Sequence, residues 1–261
     1  MLHRSRSADF TGGDWHHRSM VQACLNGSRT AEHGAAVPMS PKDLARSAAD
    51  AVAAGATEIH VHPKCPCGHD SLSPRVLTPV LEALRERITV PIGVTTGAWA
   101  EPDPAARLAR VRSWSLLPDF ASVNWHEPGA EELAALLLER GVAVEAGIWS
   151  GTDGAARFTA AALGPRVLRV LAEVMDPDPA TAEDSARALL AALGEAHGRP
   201  LLLHGEEGGT WPVLRLAARL GLATRIGLED TLLLPDGERA ASNARLVTEG
   251  LLRYGSARRA P

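Results

Sequence analysis

The sequence predicts an α/β fold in which eight β-strands alternate with helices, and three observations support this. Short apolar runs rich in Val, Ile and Leu alternate with longer amphipathic segments rich in Ala, Leu and Arg, which is typical of βαβ units. The chain has 261 residues, the usual size of one large barrel. Polar side chains collect at the ends of the predicted strands rather than at their starts. We therefore expect a (β/α)8 TIM barrel.

The predicted strands follow one another at regular intervals, and each is followed by a segment with helical periodicity. They cover residues 20–27, 57–63, 91–97, 120–125, 142–149, 166–174, 200–205 and 223–230. Helix starts are indicated at Ser40 and Asp103, because each is followed by proline. Helix ends are indicated at Gly55, Gly141 and Gly221, where a left-handed cap is natural.

The composition sets the domain count and excludes several partners. We expect residues 1–19 to form a flexible extension and residues 20–261 to form one barrel domain. A net charge of −4 and a pI near 6.2 give no reason to expect nucleic acid or an anionic membrane as partner. No apolar run approaches the roughly 20 residues that span a bilayer. Three cysteines and no signal-peptide pattern predict a cytoplasmic protein.

The second predicted strand carries a candidate metal site. His60 and His62 stand two residues apart, so both imidazoles point to the same face of the strand. Two neutral imidazoles can occupy two positions of a zinc site if a third ligand comes from elsewhere in the fold. The candidate is Glu229 at the end of the eighth strand. The alternative interpretation is that Glu229-Asp230 forms a helix N-cap with a neighbour favoured by the helix dipole.

Other strand ends are also polar or aromatic, which fits the position of active sites in barrels of this kind. His204, at the end of the seventh strand, fits a core histidine as well as a pocket residue. Trp99, Trp125, Trp149 and Trp211 fall at or beyond strand ends, where a tryptophan cluster would form apolar pocket walls.

Taken together, these segments resemble the β-keto acid cleavage enzymes. The likeness runs from about Met20 to Val247, in order and at matching spacing. The segments that carry it are Ala23-Cys24-Leu25-Asn26-Gly27, Ile59-His60-Val61-His62, Thr95-Thr96-Gly97, Ala121-Ser122-Val123-Asn124, Arg225-Ile226-Gly227-Leu228-Glu229-Asp230 and Asn243-Ala244.

The resemblance implies a zinc-dependent barrel enzyme that combines a β-keto acid with acetyl-CoA to give acetoacetate and a new acyl-CoA. His60, His62 and Glu229 would bind Zn²⁺, although this donor set also suits another divalent metal. Arg225 and Asp230 would together remove the substrate proton. The implied substrate-binding residues are Asn26, Arg29, Thr95, Thr96, Gly97 and Asn124. Members of such a family are expected to form homo-oligomers.

One position departs from the family in a way that predicts specificity. A member of the family that acts on an amino-substituted keto acid has a glutamate after the first strand, which holds the amino group of its substrate. This chain has Arg29 at that position. Arginine binds a carboxylate through two parallel hydrogen bonds and repels an ammonium group. We therefore expect a substrate with a neutral or anionic tail.

Two other functions fit part of the pattern. A metal-dependent retro-aldol lyase or hydrolase on the same barrel would use the metal without CoA. A barrel that has lost activity and serves as a binding protein is disfavoured, because all three proposed ligands and both proposed catalytic groups are present.

Overall fold

The structure is a computed structural model that describes residues 21–34 and 36–259. The extension predicted over residues 1–19, and Met20 at the start of the first predicted strand, lie outside the described residues. None of the helices in the described part of the chain is long and apolar enough to cross a membrane.

The structure confirms the eight predicted strands, and all eight are parallel. They are β1 (Val21–Cys24), β2 (Glu58–Val61), β3 (Ile92–Thr95), β4 (Phe120–Asn124), β5 (Ala143–Trp149), β6 (Arg169–Val174), β7 (Leu201–Gly205) and β8 (Thr224–Ile226). The sheet order is β7-β6-β5-β4-β3-β2-β1-β8. A bridge between Leu202 and Ala223 joins β7 to β8 and brings the two edges of the sheet together. The predicted (β/α)8 barrel is therefore confirmed.

Helices follow the strands and cover the outside of the barrel. They are α1 (Pro41–Ala53), α2 (Pro74–Arg85), α3 (Pro104–Arg112), α4 (Ala130–Glu139), α5 (Gly154–Ala160), α6 (Ala182–Leu193), α7 (Thr210–Leu220) and α8 (Asn243–Arg259). The side chains of Ser40 and Asp103 accept backbone hydrogen bonds at the starts of α1 and α3, as predicted. The buried residues of α2 form one apolar face that packs into the core, namely Leu77, Val80, Leu81 and Leu84.

The inside of the barrel holds a buried ionic cluster near the strand starts. Arg169 donates two hydrogen bonds to Glu58 and one of 2.6 Å to Glu145, and its guanidinium lies 5.1 Å from the centre of the Phe120 ring. All three charged side chains are at most 5% exposed. Because His60 lies two residues after Glu58 on β2, this cluster forms a polar floor beneath the strand ends.

We expect Glu58→Gln to lower the free energy of unfolding by about 3 kcal/mol, because it leaves the buried Arg169 with less compensating charge. Urea denaturation followed by circular dichroism measures the change. Glu183→Gln is the matched control, since Glu183 pairs with Arg219 at the surface and should change stability by less than about 1 kcal/mol. An unfolding midpoint of Glu58→Gln equal to that of the control would contradict the prediction.

The eighth strand is shorter than predicted. It ends at Ile226, and residues 227–230 form a turn in which the N–H groups of Asp230 and Thr231 donate to the carbonyl oxygen of Gly227. A Cβ on Gly227 would lie 1.9 Å from the carbonyl oxygen of Cys24, so only glycine allows this approach of the turn to β1. Glu229 and Asp230 are therefore positioned by the turn and not by the strand.

Candidate metal centre and active site

The structure brings the three predicted metal ligands together at the strand ends. One ligand atom each from His60, His62 and Glu229 lies within 4.8 Å of the others. Nδ1 of His60 and Oε2 of Glu229 are buried without a hydrogen-bond partner in the described protein. Buried polar atoms without partners are costly unless something else satisfies them. The donor set and these two atoms fit a divalent cation, and the group could bind a metal.

Two of these three side chains have the ionisation state that a metal ligand needs, and His62 must lose a proton to bind a metal. Burial lowers the pKa of His60 to about 4, so this ring is neutral. Burial alone would raise the pKa of Glu229, but Arg225 and His62 hold it well below its usual value. Burial likewise lowers the pKa of His62, but Glu229 and Asp70 raise it to about 9. A cation and a proton therefore compete for the ring of His62.

His62 is oriented by two neighbours that come from different loops. The side chain of Asn26 accepts a hydrogen bond from the N–H of His62 and donates one to its carbonyl oxygen, both of 2.9 Å. Oδ2 of Asp70 lies 2.8 Å from Nδ1 of His62. If the ring hydrogen is on Nδ1 and forms a hydrogen bond to Asp70, the lone pair of Nε2 of His62 is available to a metal. Sequence reasoning missed Asp70.

A short hairpin over residues 63–71 places Asp70 beside His62. The N–H of Ser71 donates to the carbonyl oxygen of Pro63, and Lys64 pairs with Asp70 across the hairpin. Nζ of Lys64 is buried between Asp70 and the carbonyl oxygen of Gly27. Cys65 and Cys67 form a disulfide within the hairpin, which the sequence did not predict.

We expect Asp70→Asn to weaken metal binding by about 10- to 100-fold, because the partner that fixes a metal-bound histidine contributes that much to affinity. Competition with a chromogenic chelator measures the change. Asp50→Asn, on the exposed face of α1, is the control and should bind metal as the wild type does. Equal zinc affinity of the two variants would show that Asp70 has no such role.

The predicted catalytic pair is also assembled. Nε of Arg225 donates to Oδ1 of Asp230 at 3.0 Å, and a terminal nitrogen of Arg225 donates to Glu229 at 2.9 Å. Asp230 is fully buried, and its second oxygen, Oδ2, has no partner among the described residues. Asp230 thus has one anchored oxygen and one that can accept a proton from a substrate.

Two further charged residues complete this cluster. His204 on β7 and Glu173 on β6 are 1% and 5% exposed, and they contact Asp230 and Arg225 respectively. Glu206 follows His204 directly after β7. Its pKa is raised to about 7, mainly by burial and further by Glu173. The sequence alone did not decide between a core and a pocket position for His204, and the structure places it beside Asp230.

Arg29 lies at the mouth of the barrel and already has a charged partner. Its Nε donates to the carbonyl oxygen of Leu228, and a terminal nitrogen donates to Glu207 at 2.7 Å. The N–H of Glu207 donates to the carbonyl oxygen of Asp230 at 2.7 Å. Arg29 therefore lies close to the turn that carries the candidate metal ligand Glu229. Its role towards substrate stays a prediction.

The other predicted substrate-binding residues come together on β3 and β4. Thr96 donates to the carbonyl oxygen of Ser122, and Oγ1 of Thr95 accepts from the N–H of Gly97. Asn124 donates to Glu127 at 2.9 Å. Their assignment to substrate stays a prediction.

Glu127 is a supporting residue that the sequence did not indicate. Its carboxylate accepts hydrogen bonds from the backbone of Ala98 and from Asn124, and it pairs with the buried Arg107 at 2.6 Å. It thereby ties the loop after β3 to the loop after β4. Arg107 is 1% exposed, and its charge is compensated by Glu127 inside the fold.

Two of the four tryptophans form an aromatic wall beside the candidate metal ligands. The ring of Trp99 stacks on His62 with centroids 5.8 Å apart and on Trp149 at 6.2 Å, and Trp149 contacts His126. A Cβ on Gly97 would lie 2.3 Å from the Trp99 ring, so this close contact requires glycine. The prediction is wrong for Trp125, which is fully buried against Phe158. The apolar ring of Trp125 is removed from water by packing against Phe158 of α5, and this burial explains its position.

Comparison with known proteins agrees with this geometry. A profile of the beta-keto acid cleavage enzyme (BKACE) family matches residues 18–252. The 3-keto-5-aminohexanoate cleavage enzyme of Fusobacterium nucleatum subsp. nucleatum is 26% identical over 259 residues, which cover 87% of this chain and 88% of that protein.

Two solved structures have a similar fold. A ternary complex of ObcA with a C4-CoA adduct and oxalate superimposes with a TM-score of 0.65 at 15% identity, covering 84% of this chain and 63% of that chain. Type I 3-dehydroquinate dehydratase from Clostridium difficile gives a TM-score of 0.59 at 15% identity, covering 92% and 94% of the two chains. This chain thus spans less than two thirds of the length of ObcA, and at these identities both structures show the fold alone.

Proposed function

Because this chain belongs to the beta-keto acid cleavage enzyme family, we propose that it is a zinc-dependent enzyme that converts a β-keto acid and acetyl-CoA into acetoacetate and a new acyl-CoA. The observation that carries the proposal is the convergence of His60, His62 and Glu229 beside Asp230, whose Oδ2 has no hydrogen-bond partner among the residues that the structure describes. Metal ligands and a proton acceptor in one buried site suit the formation of an enolate.

The proposed reaction begins with proton transfer to the chain's own carboxylate. Oδ2 of Asp230 takes a proton from the carbon between the keto and carboxylate groups, while Arg225 holds Oδ1. The zinc ion held by His60, His62 and Glu229 would supply Lewis-acid stabilisation of the negative charge that develops on the keto oxygen. The carbanion then attacks the acetyl carbonyl carbon, and the CoA thiolate leaves.

The second half of the reaction releases the products. The CoA thiolate attacks the original keto carbon, and the bond between this carbon and the former carbanion carbon breaks. The acetoacetate carbanion takes the proton back from Asp230, so that no proton is gained or lost overall. The aromatic wall formed by Trp99 and Trp149 would limit the access of water to this site.

Arg29 is the proposed determinant of substrate tail charge. Its Nε and one terminal nitrogen are bound to Leu228 and Glu207, and its Nη1 makes no hydrogen bond within the described chain. An anionic tail can bind this nitrogen by sharing Arg29 with Glu207 or replacing it, and a neutral tail can leave the ion pair intact. An ammonium tail would be repelled by Arg29.

The experiment is an acetoacetate assay of zinc-loaded protein with acetyl-CoA and β-keto acids that carry cationic, neutral or anionic tails. We expect acetoacetate from a neutral or anionic substrate and none without acetyl-CoA. No acetoacetate from any substrate, with zinc bound stoichiometrically, would instead support a lyase or hydrolase that does not use CoA. Equal or faster turnover of 3-keto-5-aminohexanoate would refute the proposed tail preference.

The variant Arg29→Gln tests the same residue directly. We expect it to lower kcat/KM for an anionic-tailed substrate by about tenfold or more, because a hydrogen bond to a charged group contributes about 1.5–3 kcal/mol. The effect on a neutral-tailed substrate should be smaller. Arg46→Gln, at an exposed position of α1, is the control. Zinc affinity is measured in parallel, since Arg29 also contacts Leu228, which precedes Glu229.

A further inference from the structure

Four buried charged side chains lie where β6, β7 and β8 meet. Glu173, one residue before the end of β6, lies in direct register with His204 of β7. Nε2 of His204 is 3.2 Å from Oε2 of Glu173 in hydrogen-bond geometry, whereas Nδ1 of His204 is 3.3 Å from Oδ1 of Asp230 in an ion-pair contact without that geometry. Arg225 reaches the same Oδ1 of Asp230 at 3.0 Å and approaches Oε2 of Glu173 at 3.6 Å. Two basic side chains thus alternate with two acidic ones, and each residue is at most 5% exposed.

The positions of the two neighbouring carboxylates favour the protonated form of His204. A neutral imidazole donates from one ring nitrogen only and offers a lone pair at the other. With a carboxylate oxygen opposite each nitrogen, the neutral ring would set a lone pair against one of these oxygens. The imidazolium has N–H groups on both nitrogens, so only this form is attracted to Glu173 and Asp230 together.

The electrostatics of the cluster agree. Burial and Arg225 act to lower the pKa of His204, but the contacts with Asp230 and Glu173 raise it to about 9. The charged groups that face His204 are Glu173 from β6, Arg225 and Asp230 from the β8 side, and Glu206 from its own loop. Carboxylates outnumber cationic groups among these four neighbours.

We propose that Glu173 and His204 are positioning residues for the catalytic Asp230. Glu173 holds the imidazolium of His204, and His204 together with Arg225 fixes Oδ1 of Asp230. Oδ2, which has no partner within the described residues, is thereby presented to the substrate carbon. The inference rests on the proposed function in one respect, since it takes Asp230 to be the group that accepts the substrate proton.

The first experiment detects the imidazolium without any turnover. Protein labelled with ¹⁵N in its histidine rings and loaded with zinc is titrated by NMR from about pH 6 to about pH 10, and the His204 signals are identified by their loss in His204→Gln. We expect both nitrogens of His204 to stay protonated beyond neutral pH. In Glu173→Gln and in Asp230→Asn the midpoint should fall by about one pH unit or more, because each variant removes a carboxylate that favours the cation.

Glu58→Gln is the matched control for this titration, because it makes the same chemical change in the floor of the barrel. It should leave the His204 midpoint unchanged. A wild-type His204 ring that is neutral at pH 7, or a midpoint that is the same in Glu173→Gln and Glu58→Gln, would overturn the proposal. If His204→Gln does not fold, the same signals are identified by their loss in His204→Asn, and the comparison of wild type with Glu173→Gln is unchanged.

The second experiment measures proton transfer alone. Exchange of the substrate α-protons into deuterated water, without acetyl-CoA, reports the step assigned to Asp230. For Glu173→Gln and His204→Gln we expect the maximal exchange rate to fall about 100-fold, with the half-saturating substrate concentration changed less than about threefold. We also expect the decline of the rate at high pH to begin at lower pH in Glu173→Gln. Rates and pH profiles equal to those of Glu58→Gln would refute the positioning role.

The two proposals fail in different ways. Wild-type protein that exchanges α-protons but never yields acetoacetate would disprove the acetyl-CoA reaction and leave the positioning role intact. Wild-type protein that forms acetoacetate while His204 is neutral would do the opposite.

Discussion

We expect the variant His60→Ala to bind zinc more than about 100-fold more weakly than the wild type and to form no measurable acetoacetate. Removing an outer partner of a metal-bound histidine already costs about 10- to 100-fold, and loss of a ligand leaves only His62 and Glu229 of the three converging residues. Alanine has no nitrogen that could replace the buried imidazole of His60. Metal content after gel filtration, together with chelator competition, measures the loss.

A histidine elsewhere in the chain provides the control for His60→Ala. His69 is exposed in the hairpin and contributes only its backbone carbonyl to the fold. We expect His69→Ala to retain zinc and activity. Stoichiometric zinc in His60→Ala would show that residues other than His60 hold the metal.

Asp230→Asn is expected to lower kcat by about 10³- to 10⁴-fold while zinc stays bound. The substitution keeps the shape of the side chain and an oxygen that can accept from Arg225, but an amide cannot take the substrate proton. General base catalysis contributes up to about 10⁴-fold, and asparagine supplies no base at this position. Acetoacetate formation and α-proton exchange should both be lost.

The zinc measurement separates this result from that for His60→Ala. Asp236→Asn, in an exposed loop, is the matched control and should have wild-type activity. A kcat for Asp230→Asn within about tenfold of the wild type would exclude Asp230 as the general base.

The sequence predicted the strands and the pairing of His60 with His62, because both follow from the order of residues within one short segment. Each strand is an apolar run whose burial drives its formation, and the spacing of His60 and His62 requires only strand geometry. The turn that holds Glu229 and Asp230 is different. It depends on the approach of Gly227 to Cys24 on another strand, and no local pattern encodes that contact. The eighth strand was therefore predicted too long.

The supporting residues of the site were missed for the same reason. Asp70 has meaning only once the hairpin folds back onto His62, and Glu207 meets Arg29 across a sequence separation of 178 residues. Such pairs become visible only when the strands have been arranged in space. His204 was noticed because it ends a strand, but its two carboxylate neighbours come from β6 and from the turn after β8.

The order of the strands has a consequence for folding. β1 pairs with β8, and Asn243 at the start of α8 donates to the carbonyl oxygen of Leu25, 218 residues earlier. His60 and His62 come from the early part of the chain, whereas Glu229 comes from the late part. The candidate metal site is thus complete only after the two ends of the described chain have met, which is a slow, high-contact-order event. A cation that binds only the completed site would stabilise the closed barrel relative to partly folded forms.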